Sequence, residues 1–221
     1  MRFLLEPLLA EDELRDLVSV LHDPAAPWID GASTAGWHAR DLKRNHQLDG
    51  ASPLHQQLSA RLEAVLTAQP LVQAAAFPRR IHGLLFSRSG AGEGYGRHVD
   101  NAWMRGGRSD LSFSLFLSEP EAYAGGALVL ETPAGEESFR LPAGHALVYP
   151  STLLHRVEPV TAGERLVAVG WIESRIRHAD QRELLFELDT ARRCLFARHG
   201  KDEIFDLVSR SYSNLLRRWD G

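Results

Sequence analysis

The stretch Asp110-Leu111-Ser112-Phe113-Ser114-Leu115-Phe116-Leu117-Ser118 contains the pattern on which the fold prediction rests. Apolar residues stand at positions 111, 113, 115 and 117, and serines occupy most of the positions between them. Alternation with a period of two is typical of a β-strand that buries one face, because successive side chains point to opposite sides of a sheet. The pattern therefore predicts a half-buried strand over residues 110–118.

Similar short apolar segments lie on both sides of this stretch. The further strand candidates are residues 81–88, 127–131, 138–141, 146–149, 155–160 and 165–173. Turns rich in glycine and proline separate them, such as Gly125-Gly126 and Pro142-Ala143-Gly144. Short strands between regular turns favour an antiparallel sandwich or a jelly roll.

Apolar residues recur with the helical period at both ends of the chain. Residues 8–23 are predicted to form one helix, and a second begins at Ser52-Pro53, where serine can cap and proline can occupy the first turn. After about residue 175 the period indicates a helical hairpin. The predicted organisation is an N-terminal helical and irregular segment (1–79), a β core (80–175) and a C-terminal helical extension (176–221) that packs on the core or on a second subunit.

Composition and charge are those of a soluble globular protein. The 221 residues include 44% hydrophobic and 24% charged residues, with a formal net charge of −4. A negative net charge gives no bulk electrostatic drive towards nucleic acid. No run of roughly 18 apolar residues predicts a membrane span.

The compartment predicted from the sequence is the cytoplasm. The N-terminal apolar stretch reaches Glu6 and Pro7 at once, so a signal peptide is not predicted. Cys194 is the only cysteine, which excludes an internal disulfide and a thiolate-rich metal site. A reducing environment suits such a chain.

The strongest functional pattern is His98-Val99-Asp100, followed far downstream by His155. In an extended segment, residues two apart share a face, so His98 and Asp100 can point at one ion. A histidine from a neighbouring strand would complete a set of two imidazoles and one carboxylate. With the opposite coordination face open, that is the ligand set of non-haem Fe(II) oxygenases. We predict that His98, Asp100 and His155 bind the metal and are the catalytic residues.

Arg165 is the candidate for binding a co-substrate. It shares a strand face with the apolar residues at 167, 169 and 171, where an unpaired charge is costly. The planar guanidinium matches a carboxylate with two hydrogen bonds. Arg165 is therefore predicted to hold the distal carboxylate of 2-oxoglutarate. A hairpin after Gly163 is expected to bring Arg165 close to His155.

Three alternatives compete with this interpretation. His98 and Asp100 could belong to a solvated surface cluster, with Arg165 in a hairpin ion pair. The site could bind Fe(II) and 2-oxoglutarate without turnover, as a sensor does. A zinc hydrolase could use the same ligands, but no HExxH-type base is present and Arg165 would have no role. The glycine-rich turn at residues 90–96 is no phosphate loop, because Tyr95 stands where a glycine is needed; we interpret it as a lip over the site.

At these residues the chain resembles the bacterial PKHD-type hydroxylases, which are Fe(II)/2-oxoglutarate-dependent dioxygenases. The matching stretches include Tyr95-Gly96-Arg97-His98-Val99-Asp100, Leu141-Pro142-Ala143-Gly144, Val148-Tyr149-Pro150-Ser151 and Leu185-Phe186-Glu187-Leu188-Asp189. The resemblance covers nearly the whole chain. It implies a double-stranded β-helix core, iron held by His98, Asp100 and His155, and 2-oxoglutarate held by Arg165.

The same resemblance implies ascorbate as a further cofactor, O2 and a small-molecule or peptidyl substrate as partners, and a link to iron uptake or homeostasis. Ser89 departs from the family pattern, which tends to carry a tyrosine there, so the detail of the co-substrate pocket is open. The polar segment 43–47 resembles a polar run in the family and is a candidate for lining the substrate mouth, with a solvated loop as the alternative. Further candidates for the mouth or a lid are His38, His46 and residues 103–105.

Overall fold

A computed structural model describes residues 1–34, 40–104 and 106–221 of the chain. Two of the mouth and lid candidates, His38 and Arg105, lie outside these ranges. Among the described residues, the strands are β1 (Phe3–Leu5), β2 (Trp28–Asp30), β3 (Lys43–Arg44), β4 (His46–Leu48), β5 (Pro78–Ser89), β6 (Gly94–His98), β7 (Trp103–Met104), β8 (Gly107–Arg108), β9 (Leu111–Phe116), β10 (Tyr123–Gly125), β11 (Leu128–Thr132), β12 (Gly135–Phe139), β13 (Ala146–Pro150), β14 (His155–Val157), β15 (Val160–Gly163) and β16 (Arg165–Ser174).

Five helices accompany these strands in the described ranges. They are α1 (Glu11–Leu21), α2 (Pro53–Ala68), α3 (Pro70–Ala76), α4 (Ala179–His199) and α5 (Glu203–Trp219). None of them has the length and apolar character needed to cross a membrane.

Two antiparallel sheets form the body of the molecule. The larger sheet has the order β1-β13-β9-β16-β5-β4-β2, and the smaller one has the order β12-β11-β14-β6-β3. Two-stranded ribbons, β10-β15 and β7-β8, complete the architecture. An interior cluster joins the sheets, because Phe116 and Val167 of the larger sheet pack with Leu128 and Leu130 of the smaller. The predicted antiparallel jelly roll is confirmed.

The strand predicted from the opening stretch forms as β9, but it is buried on both faces. Phe113 and Leu115 pack into the main core with Leu17 of α1 and Leu62 of α2. The serines of β9 are buried as well, on the face directed into the roll. The prediction of a half-buried strand is therefore wrong. The apolar residues lie on the face that the helices cover, and the serines lie on the face directed into the roll, so neither face is exposed to solvent.

The N-terminal segment contributes more structure than predicted. Helix α2 begins where expected, and the Ser52 side chain accepts a hydrogen bond of 3.1 Å from the backbone N–H of His55. Between α1 and α2, where the sequence predicted only irregular structure within the segment 1–79, lie β2, β3 and β4, which pair with each other or with β5 and β6. Strands of two or three residues are too short to display a period, so sequence patterning cannot reveal them.

The C-terminal helices α4 and α5 form the predicted helical hairpin. Phe77, Ile176 and Leu185 are buried together, and Leu216 and Trp219 of α5 pack against them. These contacts attach the hairpin to the body of the molecule. The division into three segments and association through the hairpin stay predictions.

Phe113→Ala tests the importance of the helix-covered face of β9. Phe113 is completely buried, and its truncation should lower the free energy of unfolding by about 3–5 kcal/mol, because a cavity is left behind. Urea denaturation measures this change. Ile204→Ala is the matched control, since Ile204 is 60% exposed on α5, and its effect should stay within about 0.5 kcal/mol. Equal effects of the two substitutions would contradict the described core.

Candidate active site

A cavity of about 140 Å³ opens between the two sheets. The larger sheet contributes Arg165, Val167 and Trp171 to its wall, and the smaller sheet contributes His98 and His155. Both groups of predicted site residues therefore face one cavity.

The three predicted metal ligands come together at one side of this cavity. Strands β6 and β14 are antiparallel neighbours, with His155 directly opposite His98, and Asp100 follows the end of β6. Asp100 Oδ1 lies 3.8 Å from Nε2 of each histidine. One ligand atom from each of the three residues lies within 4.8 Å of the other two, which is close enough for a shared ion.

The trio is shielded from solvent. His98 is 8% exposed and His155 is 4% exposed, and the Asp100 side chain is equally enclosed. The alternative of a solvated surface cluster is therefore wrong.

Backbone carbonyls orient both imidazole rings. His98 Nδ1 lies 2.8 Å from the carbonyl oxygen of Gly96, and His155 Nδ1 lies 3.0 Å from that of Leu153. A carbonyl oxygen can only accept, so each Nδ1 carries the hydrogen and each Nε2 keeps its lone pair. Burial is the main cause, and the neighbouring His155 the second, of a pKa of His98 that is lowered to about 4. Its ring is thus neutral near pH 7, the form that binds metal ions.

Two donors fix the carboxylate of Asp100. Its Oδ2 accepts hydrogen bonds from Ser112 Oγ at 2.6 Å and from Trp171 Nε1 at 2.9 Å. Oδ1 is the oxygen directed at the histidines. Ser151 Oγ lies 2.8 Å from Ser112 Oγ, and because the Ser112 hydrogen is engaged by Asp100, Ser151 is the donor. The carboxylate is therefore prepared to give one oxygen to an ion.

Two aromatic rings enclose the histidines. Tyr95 stacks on His98 with ring centroids 3.7 Å apart, and Tyr149 meets His155 edge-on at 5.4 Å. Burial, followed by Asp100, raises the pKa of Tyr95 to about 12, so the phenol stays neutral. The glycine-rich turn leads into β6, where Tyr95 packs beside the site.

Arg165 lies across the cavity, in the larger sheet. It opens β16 opposite Ser89 of β5, so the family departure at Ser89 adjoins the predicted co-substrate residue. The predicted hairpin is wrong: β15 pairs with β10, and β16 pairs with β5 and β9. The hairpin prediction assumed that strands close in sequence pair, whereas the chain crosses between sheets here.

The guanidinium of Arg165 is buried without a charged partner. Arg165 is 4% exposed, and its guanidinium carbon lies 5.6 Å from the centroid of the Phe116 ring. Burial lowers its pKa from the ordinary value, yet arginine keeps its charge in proteins. Among the described residues, the Nε–H of Arg165 donates to no hydrogen-bond acceptor, and no carboxylate pairs with the guanidinium. A buried cation of this kind is costly unless a ligand supplies the anion.

The segment 43–47 lies beside the trio as short strands. Lys43 and Gln47 are buried and line the cavity together with Asn45, whereas Arg44 and His46 are exposed. The solvated-loop alternative is wrong for the inward-facing members. His46 lies 3.3 Å from Glu93 and is not part of the cavity wall. Of the lid candidates, Met104 lines the cavity and Trp103 is exposed.

Sequence reasoning did not identify the residues that hold Asp100. Ser112 belongs to the stretch 110–118, where it alternates with the apolar residues. The alternation predicts which face of the strand Ser112 occupies, but it does not predict which residue Ser112 contacts. Trp171 was placed on the face of Arg165 without a role. Their meeting at Asp100 depends on the pairing of β9 with β16, where Ser112 is opposite Trp171.

The donor set fits a divalent iron ion. Two neutral imidazole nitrogens and a single carboxylate oxygen converge from one side, and such a mixed set selects transition metals over magnesium. The carbonyl and indole hydrogen bonds supply the outer support that metal ligands usually have.

Comparisons with known proteins agree with this geometry. The model of the 2OG-Fe(II) oxygenase superfamily matches residues 84–173, and that of the PKHD-type hydroxylase C-terminal domain matches residues 180–220. PKHD-type hydroxylases from Acaryochloris marina and Synechococcus elongatus are each 52% identical to this chain, and each alignment covers 97% of both proteins.

Solved structures share the fold at low identity. A Pseudomonas putida prolyl-4-hydroxylase superposes with a TM-score of 0.58 and 22% identity, covering 79% of this chain and 92% of that one. HygX from Streptomyces hygroscopicus, with nickel, 2-oxoglutarate and hygromycin B bound, gives a TM-score of 0.54 and 16% identity, covering 76% of this chain and 81% of that one. With relatives at 52% identity over nearly the full length, the chain belongs to the PKHD-type hydroxylases and is a dioxygenase of the 2OG-Fe(II) oxygenase superfamily.

Proposed function

We propose that His98, Asp100 and His155 hold Fe(II), that Arg165 holds the distal carboxylate of 2-oxoglutarate, and that the protein hydroxylates a C–H bond of a substrate in the cavity. The observation that carries the proposal is the placement of a buried, unpaired guanidinium across one cavity from the three ligand side chains. The three ligand side chains suit the metal ion, and the guanidinium of Arg165 suits the carboxylate of 2-oxoglutarate.

The reaction would consume the substrate C–H group, O2 and 2-oxoglutarate, and would give the alcohol, succinate and CO2. One oxygen atom of O2 enters the alcohol and the other enters succinate. Iron bound here would supply the redox chemistry that O2 activation requires. The protein's own contribution is to orient the reactants and to exclude water.

The ligand side chains are set for that task. The hydrogens on Nδ1 of both histidines are engaged by carbonyls, so neither ring needs to change its tautomer to bind. Ser112 and Trp171 hold Oδ2 of Asp100 and leave Oδ1 directed at the ion site. A preformed arrangement avoids the cost of reorganisation when the metal arrives.

Arg165 orients the co-substrate. The apolar side chains of Phe116 and Val167 lie near Arg165 and lower the local dielectric constant. In such surroundings a charge-assisted hydrogen bond is strong. A diacid bound there would point its other end towards the trio, because both groups border one narrow cavity.

The finer predictions follow from the family resemblance. We propose ascorbate as the reductant that keeps iron in the Fe(II) state, and a small-molecule or peptidyl substrate. A link to iron uptake or homeostasis and a cytoplasmic location stay predictions. The alternative of a non-catalytic binding module is not favoured, because the relatives are named hydroxylases. The zinc-hydrolase alternative leaves the buried Arg165 without a role.

His98→Ala should abolish the metal site. Loss of one of the three ligands should lower both Fe(II) affinity and succinate formation by at least about 100-fold, because outer-sphere changes alone cost 10- to 100-fold. Fe(II) binding measured under nitrogen and succinate release measured in air test this. His46→Ala is the matched control, an exposed histidine outside the cavity wall. Undiminished succinate formation by His98→Ala would refute the assignment.

Arg165→Met should weaken 2-oxoglutarate binding and leave Fe(II) binding intact. A hydrogen-bonded charge pair contributes about 1.5–3 kcal/mol, so the 2-oxoglutarate concentration at half-maximal succinate formation should rise about 10- to 100-fold. For Arg165→Lys, this concentration should lie between those of the wild type and Arg165→Met, since lysine keeps the charge and loses the planar fork. If Arg165→Met keeps the wild-type concentration dependence, another residue binds the co-substrate.

Trp171→Phe tests the support of Asp100. The substitution removes the indole N–H that donates to Oδ2 and keeps an aromatic ring in place. Fe(II) affinity, measured by titration under nitrogen, should fall about 10- to 100-fold, with a smaller change in 2-oxoglutarate dependence. Trp28→Phe is the matched control, because the Trp28 indole donates to the carbonyl of Leu21, away from the cavity. Equal Fe(II) affinity of the two variants would exclude a positioning role for Trp171.

A further inference from the structure

The cavity contains a second buried cation, Lys43. The chain has only two lysines, Lys43 and Lys201. Lys43 is 7% exposed and lines the cavity, whereas Lys201 is exposed in the turn that precedes α5. A buried ammonium group is rare in proteins unless it is paired.

The protein does not supply an anionic partner for Lys43. Its Nζ donates to Thr34 Oγ1 at 2.8 Å and lies 5.4 Å from the centroid of the Tyr95 ring, and both of these groups are neutral. The residues outside the described ranges, 35–39 and 105, include no aspartate or glutamate. Within the described ranges, Asp100 and Asp30 act on Lys43 without forming an ion pair.

The electrostatic surroundings of Lys43 favour the binding of an anion. Burial lowers the pKa of Lys43 to about 8, although Asp100 and Asp30 oppose this. An ammonium group has three N–H donors, and one is used by Thr34. Thr34 Oγ1 in turn donates to Gln47 Oε1. Two donors of Lys43 thus have no partner among the described residues.

Lys43 and Arg165 occupy different parts of the cavity. Arg165 opens β16 in the larger sheet, beside Tyr149 and Phe116. Lys43 lies in β3 at the edge of the smaller sheet, directly opposite Tyr95, whose ring stacks on His98. A co-substrate anchored at Arg165 therefore leaves Lys43 on the trio's own side, where the substrate must place its C–H bond.

We infer that Lys43 binds a carboxylate of the hydroxylated substrate. The inference rests on the proposed function, because it takes Arg165 as the co-substrate anchor. Asn45 and Ser87, hydrogen-bonded to each other at 2.7 Å, extend the polar wall beside Lys43. The substrate is thus a carboxylic acid that fits the small cavity, or the acidic end of a larger molecule.

The presence of only two lysines allows a direct test by NMR. Lysine-selective ¹³C labelling of the full chain gives one side-chain Cε signal from Lys43 and one from Lys201. The protein is loaded with Zn(II) in place of Fe(II), saturated with 2-oxoglutarate under nitrogen, and titrated with N-acetyl amino acids and with their primary amides. N-acetyl-aspartate amide is included to separate a side-chain carboxylate from a terminal one.

The acids should shift the Lys43 signal saturably and leave the Lys201 signal in place, whereas the amides that carry no carboxylate should shift neither signal. Calorimetry should give about 10- to 100-fold weaker binding of the responding acid to Lys43→Gln, as expected for the loss of a charge-assisted hydrogen bond. Lys43→Arg should retain the preference for acids. Arg44→Gln, which removes the neighbouring exposed cation, should bind as the wild type does.

Three outcomes would overturn the inference. Acids and amides could give equal responses, including none to either. The acids could bind Lys43→Gln, with its fold verified by circular dichroism, as well as wild type. Alternatively, 2-oxoglutarate alone could shift Lys43 and require it for binding. Failure of the proposed function has a different signature, since it would appear as no succinate from wild type or as an unchanged co-substrate dependence in Arg165→Met.

Discussion

The pairing register between β6 and β14 is the constraint on which the site depends. It places His155 opposite His98, so two imidazoles from segments more than 50 residues apart meet at one point. Side chains alternate across a strand, and a slip by one residue would turn His155 to the outer face of the sheet. The interior cluster that includes Leu130 of β11, which pairs with β14, favours the observed register, because a slip would also expose apolar side chains. The same register thus fixes the packing of the roll and the meeting of the predicted metal ligands.

The sequence predicts local features of this arrangement better than its pairings. Alternation identified β9, and the cap at Ser52 located α2, because both signals lie within a few residues. The two buried faces of β9 depend on α1 and α2, which cover it from distant parts of the chain. The position of Arg165 depends on which sheet β16 joins, and no local period encodes that choice. The ligand set was identifiable because its residue types carry the chemistry, whereas the support of Asp100 required the β9–β16 register.

The side chains that line the cavity carry more positive than negative charge. Among its described lining residues there is one carboxylate, Asp100, against two cations, Lys43 and Arg165. The divalent ion that the donor set fits would add further positive charge, so the cavity as a whole attracts anions. A diacid co-substrate accounts for part of this excess. Because Lys43 and Arg165 lie in different sheets, the proposed carboxylates of substrate and co-substrate would not compete for the same donor.

Gly83 limits which sequences can keep this site. Its backbone has a φ of +66°, and a Cβ there would lie 2.7 Å from the Trp171 ring. Any side chain at this position would displace the indole that donates to Asp100, although Gly83 does not itself line the cavity. Evolution and protein engineering therefore have little freedom at a residue that no survey of cavity-lining side chains would select. The position of the Trp171 ring, and with it the hydrogen bond to Asp100, thus depends on a glycine at this point of β5.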